Sequence, residues 1–195
     1  MNFAKIFLFT AFAATLAGCA HPMVIAPDVS KIVVVAGTQP LKKNVGYYIA
    51  DEVRNKEVTT PGGGGDKVSY HPYQDMETAY YKMLGNVFSN VTVLKGPNDA
   101  EAISKNKINY IIVPSITTDS SSSGALTWPP TDFTFELTCD VSDAAGKAVT
   151  SKKVSGKGHA EFAQFKSDFS MTGKLAAEDA LVKMQAELLA APELR

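Results

Sequence analysis

Residues 132 to 143 alternate Phe133, Phe135, Leu137, Cys139 and Val141 with Thr134, Glu136, Thr138 and Asp140. A two-residue period puts every apolar side chain of such a run on one face of a strand and every polar one on the other. A strand this long must have its apolar face covered, which makes it the strongest single constraint on the fold. Ala144, Ala145 and Gly146 follow, with Gly146 suited to a positive φ in a turn, and residues 147 to 162 return as the second strand of a long antiparallel hairpin. Cys139 points inward on this reading. Its neighbours on that face are apolar, the opposite of the cationic, accessible setting that a reactive thiol needs.

Two stretches carry the helical period that could supply the cover. Residues 74 to 89 place Met76, Ala79, Tyr80, Met83, Leu84, Val87 and Phe88 on one face. Residues 171 to 191 do the same with Leu175, Ala177, Ala180, Leu181, Met184 and Leu188, and Pro192 helps to end them. Strands are expected at 31 to 36 (KIVVVA, buried on both faces), 45 to 50, 91 to 94 and 110 to 116. A weaker strand over 54 to 61 pairs with 68 to 70 across the flexible turn of Gly62 to Gly65. A short helix over 97 to 105 suggests a right-handed crossover between parallel neighbours. Pro114 limits ladder pairing late in its strand. Residues 118 to 131 (TDSSSSGALTWPPT) read as a polar, proline-bearing loop. The expected fold is therefore α/β (α+β): a single mixed sheet carrying two main helices and one short one, with the hairpin near the C-terminus.

The N-terminus has a separate logic. Lys5 precedes an apolar run from Ile6 to Leu16 that is too short to span a bilayer permanently, and the run closes on Leu16-Ala17-Gly18-Cys19. That tetrapeptide resembles the lipobox of bacterial lipoprotein precursors. The resemblance implies cleavage before Cys19 and acylation of its thiol, and because Ala20 rather than Asp follows, it implies an outer-membrane anchor facing the periplasm. The expected organisation is a signal peptide over 1 to 18, a lipidated tether over 19 to 30 containing Pro22 and Pro27, and one α/β domain over 31 to 195. With Cys19 acylated, Cys139 has no partner for a disulfide.

Nineteen basic and 20 acidic side chains leave a net charge of −1, which offers no electrostatic footprint for nucleic acid or anionic lipid. Membrane attachment thus rests on the acyl chains. No catalytic constellation is apparent. The tetraglycine before Asp66 and Lys67 lacks the spacing of a phosphate-binding loop, and Ser120 to Ser123 have no nearby base. His21, His71 and His159 have no companion at metal-ligand spacing. His159 and Glu161 read as solvated strand positions, with Ala160 and Phe162 facing the core. No metal and no cofactor is expected, nor an enzyme.

Trp128, the single tryptophan, stands before Pro129 and Pro130 on this loop, where it either anchors a partner or folds back over the sheet edge. Tyr70 and Tyr73 flank a second aromatic turn with the same two possibilities. The strand at Tyr110-Ile111-Ile112-Val113-Pro114-Ser115, the turn at Asp143-Ala144-Ala145-Gly146-Lys147 and the alanine-rich last helix resemble periplasmic lipoproteins with a TolB N-terminal-like or penicillin-binding-protein-activator-like domain. This resemblance implies a non-catalytic adaptor or assembly factor that binds an envelope protein through a loop or sheet edge. The alternatives are a carrier or sensor for a lipid or cell-wall fragment, which needs a pocket between sheet and helices, and a hydrolase without a recognisable motif.

Overall fold

The computed structural model describes residues 20 to 34, 36 to 124 and 128 to 195. The lipobox falls outside them. Within them the mixed α/β expectation holds, but the strands form two sheets rather than one.

The larger sheet has the order β5-β2-β6-β7-β8, built from β2 (Leu41–Tyr47), β5 (Phe88–Val93), β6 (Tyr110–Ser121), β7 (Asp132–Asp143) and β8 (Ala148–His159). The hairpin β7–β8 follows the sequence pattern: Phe133, Phe135, Leu137, Cys139 and Val141 are all buried, and Gly146 turns with φ +82°. Strands β5 and β6 run parallel to β2, one on each side of it. The short helix α3 (Ala100–Lys105) therefore crosses over β2 instead of joining adjacent strands.

Cover comes from α2 (Pro72–Val87) and α5 (Met171–Ala190), whose predicted faces are buried against one side of the sheet, except that Leu175 is only half-buried and Phe88 begins β5 instead of ending α2. On the other side, α3 packs Ala102 and Ile103 over Leu94, Ile108 and Ile111. Helix α5 lies very close to β8, because a Cβ at Gly156 or Gly158 would run into the helix backbone at Ala176, Ala180 and Thr172. It also closes the edge of β8. The Lys157 N–H donates to Asp179 Oδ2 at 2.9 Å, and Lys183 Nζ donates to the Ser155 carbonyl at 2.9 Å, which satisfies groups that would otherwise template another strand.

The smaller sheet, β1-β4-β3, joins β1 (Ala20–Pro22) in parallel to β4 (Lys67–Tyr70), which pairs antiparallel with β3 (Val58–Pro61). It abuts the far end of β6. Residues 118 to 121, expected in a loop, continue β6 and pair with Asp132 to Phe135 of β7. The serine run is stable there because Ser120 is buried, with its hydroxyl against Thr60 Oγ1 at 2.6 Å and the Pro61 carbonyl at 2.5 Å.

Two expectations about the N-terminal segment are corrected. Residues 20 to 30 are packed into the domain instead of tethering it: 20 to 22 are a strand, and Met23 and Ile25 are buried. The described residues of the expected strand over 31 to 36 do not form one either; a 3-10 turn at Val29–Lys31 leads into irregular backbone, with Ile32 buried but Val33 and Val34 exposed. The segment runs along α2 and α5, held by side chains from both. The Ile25 N–H donates to Asp75 Oδ2, Asn86 Nδ2 donates to the Ile32 carbonyl, and Gln185 Nε2 donates to the Val33 carbonyl. These bonds replace a strand ladder.

Candidate functional site

The β6–β7 loop, the glycine turn between β3 and β4, and β1 meet at one end of the molecule. Trp128 is half-buried there. Its ring stacks on His21 at 4.3 Å between centroids and meets Phe169 edge-on at 5.0 Å. Its carbonyl accepts the Gly63 N–H at 2.9 Å, and a Cβ at Gly62 would collide with that same oxygen, so the glycine turn cradles the tryptophan backbone. His21 also lies 3.5 Å from Asp66. Trp128 thus folds back against the core, half-buried. Pro129 and Pro130 are buried beside it, and Thr172 at the start of α5 donates to the Pro130 carbonyl.

Tyr70 and Tyr73 are buried, and the partner each serves is strand β6. Strand β2 stops pairing with β6 at Ile112, leaving one edge of β6 without a neighbour. Pro114 has no N–H to satisfy there. The Ile116 N–H donates to the Tyr73 hydroxyl at 2.9 Å, and the Tyr70 hydroxyl donates to Thr118 Oγ1 at 2.8 Å. These two tyrosines leave little surface for another molecule.

Around this end the exposed apolar side chains are Val24 (59% exposed), Phe162 (59%) and Phe169 (44%). Val24 is tied to Ser170 through its N–H, which places it beside Phe169. Phe162 opens α4 (Phe162–Phe165), where the sequence placed it in the core; Phe165 is buried in its stead, while Ala160 is buried as expected. Sequence reasoning weighed His21 only as a metal ligand and did not single out Phe169.

A charged clip closes the same end of the hairpin. His159 Nδ1 lies 2.8 Å from Asp132 Oδ1, and His159 Nε2 lies 3.1 Å from Glu161 Oε1. Thr131 donates to the other oxygen of Asp132. A ring flanked by two carboxylates favours the imidazolium, so the hydrogen bonds to Asp132 and Glu161 raise the His159 pKa above its ordinary 6.5. The bonds from His159 and Thr131 hold Asp132 below the usual carboxylate value. The His159 contribution is complete below about pH 6.5 and fades as pH rises through the raised value. The Asp132 contribution is present above about pH 4 and fades as pH falls through the lowered one. A proton NMR titration of His159 should therefore give a midpoint above 6.5 that moves back down in Asp132→Asn; an unshifted wild-type midpoint would refute the clip.

Elsewhere the chemistry is quiet. Cys139 is buried with its Sγ 3.3 Å from the Tyr80 hydroxyl, and burial pushes its pKa up to about 12. A concavity of about 370 Å³ lies beside the carboxyl ends of β2 and β5, lined by Tyr48, Asp51, Glu52, Arg54 and Lys95 among others. Its guanidinium is already committed, Arg54 being bonded to Glu77 through two nitrogens and to Asp51. Among the described residues no group of three or more His, Cys, Asp or Glu is placed to hold a metal ion, and no helix is long and apolar enough to cross a membrane.

No family model matches the chain, and no curated protein does. Among solved structures, it is similar to a Xanthomonas campestris protein of the family DUF330 at 15% identity, covering 87% of this chain and 90% of the other with a TM-score of 0.44. A minor lipoprotein from Acinetobacter baumannii shares 12% identity over 78% of this chain and 94% of its own, with a TM-score of 0.39. A Caulobacter crescentus protein provisionally designated a lipoprotein shares 13% over 48% and 78%, with a TM-score of 0.29. Superpositions this loose leave the site to be read from its own residues.

Proposed function

We propose that this chain is a bacterial lipoprotein, exported and acylated at Cys19, that faces the periplasm from the outer membrane and acts as a non-catalytic adaptor in an envelope complex. The observation that carries the reading is the junction between lipobox and fold: Cys19 is followed directly by β1, with no linker between them. Several acyl chains on one cysteine hold a protein on a membrane essentially permanently. A domain joined so closely to its anchor takes a fixed place and direction. The β7–β8 turn at Asp143 to Lys147 then lies at the opposite end of strands 12 residues long, about 40 Å from the anchored end, where it can meet a partner.

The carrier alternative needs room between sheet and helices. That space is filled by Tyr80, Met76, Met83, Phe133, Phe135 and Met184, all buried, so a lipid could enter only by displacing core side chains. Fatty-acid labelling and crosslinking in intact cells test the proposal together. Wild-type protein should take up an alkyne palmitate analogue, and Cys19→Ala should lose both the label and the membrane fraction. A crosslinker at Ala145→Cys should capture one envelope protein only while Cys19 is intact. Absence of label would overturn the lipoprotein reading; a co-purifying stoichiometric small molecule without a captured protein would replace adaptor by carrier.

A further inference from the structure

We infer that the end of the domain bearing Trp128, Phe169 and Val24 rests in the lipid interface, so that the bilayer is itself the ligand of this patch. The inference builds on the acylation of Cys19 proposed above. Two residues of chain reach about 7 Å at full extension, so the His21 Cα stays within that distance of the acylated residue. His21 is fixed in its turn: it belongs to β1, pairs in register with Val68, and stacks on Trp128. The aromatic cluster is thereby bound to the membrane surface by covalent geometry, and the domain has no flexible linker with which to swing it away.

What the cluster presents suits that position. Trp128 stacks on His21, meets Phe169 at an edge contact and is half-buried against the core. Phe169 and Val24 stand beside it with about half of their surface exposed, and Phe162 projects from the adjoining α4. Indole and phenyl rings concentrate at the headgroup level of bilayers, where an amphipathic ring has apolar contact on one side and water on the other. Among the described residues the other exposed large apolar side chains are Val29, Val33 and Val34 on the segment after β1, and Tyr81, Val93 and Val182 singly on α2, β5 and α5. Lys67 and Lys166 stand at the rim together with Asp66, Glu161 and Asp168, so the contact rests on the apolar side chains and the anchor rather than on charge. The consequence is a fixed upright orientation, with the β7–β8 turn directed away from the membrane.

Trp128 is the only tryptophan in the chain and so reports on itself. The acylated protein, reconstituted in vesicles of phosphatidylethanolamine and phosphatidylglycerol at about 3:1, is compared with the same vesicles made from lipids brominated near the carbonyl end of the acyl chains. Bromination should quench the emission at least about twofold, and acrylamide in the aqueous phase should quench it far less than in the soluble Cys19→Ala chain. Phe169→Ser should weaken bromine quenching while the protein still floats with the vesicles and keeps its melting temperature. Flotation with Trp128 untouched by bromine and open to acrylamide overturns this inference and leaves the anchor reading standing. No acyl mass on the protein and no flotation overturn both.

Discussion

Gly158→Ala is expected to lower the melting temperature by about 6–12 °C or to abolish the cooperative transition. The added Cβ would sit against the Thr172 carbonyl oxygen and the Ala176 nitrogen, both backbone atoms of α5. Backbone has no rotamer with which to escape, so the whole helix would have to lift from the sheet. Leu181, Met184 and Leu188 come from that helix, and each is fully buried. Overpacking of this kind costs about 3 kcal/mol at its upper ordinary range, and a domain of this size loses about 2–4 °C per kcal/mol. Gly85→Ala is the matching control. It lies in α2 with nothing within 4 Å of its Cβ position, so alanine should stabilise the helix by about 0.5–1 kcal/mol. Calorimetry of both variants decides: a Gly158→Ala midpoint within 2 °C of wild type would show that α5 does not pack on β8 at this distance.

The same glycine shows where the sequence is and is not legible. The periods of β7, α2 and α5 can be read directly because each depends only on residues a few positions apart. That β8 carries glycines at two inward positions is also visible, but nothing nearby announces that a helix starting at Met171 will occupy the space they leave. The N-terminal segment is the sharper case. Three consecutive valines suggest a buried strand, and two prolines without period suggest a tether; both local readings give way to bonds from Asp75, Asn86 and Gln185, which lie 50, 54 and 152 residues from their acceptors or donors in sequence. At the candidate site, Trp128 stands out through its isolation between a serine run and two prolines. Its contacts with His21, Gly63 and Phe169 depend on β1 pairing with β4 and on the turn into α5, neither of which has a local signature. Tyr70 and Tyr73 stay ambiguous in the sequence for the converse reason, since the edge of β6 that they complete exists only because β2 is short.

Asn86→Ala should release the stretch around Ile32 from α2 and α5. Asn86 is buried, and its Nδ2 donates both to the Ile32 carbonyl at 3.0 Å and to Gln185 Oε1 at 2.8 Å; Gln185 Nε2 donates in turn to the Val33 carbonyl at 2.8 Å. Truncation leaves a carbonyl and an amide oxygen inside the protein without that donor, which costs about 2 kcal/mol, equivalent to a fall of about 4–8 °C in melting temperature. The loss should be local in its dynamics. Hydrogen exchange should accelerate at the amides of residues 30 to 34, while those of β7, protected by ladders on both sides, keep their wild-type rates. Gln185→Ala should cost a similar amount, and the double variant much less than the sum of the two, because the first truncation has already broken the shared bond. Fully additive losses, or exchange that quickens equally in β7, would mean that the pair does not hold the stretch at Ile32 and Val33 against α2 and α5.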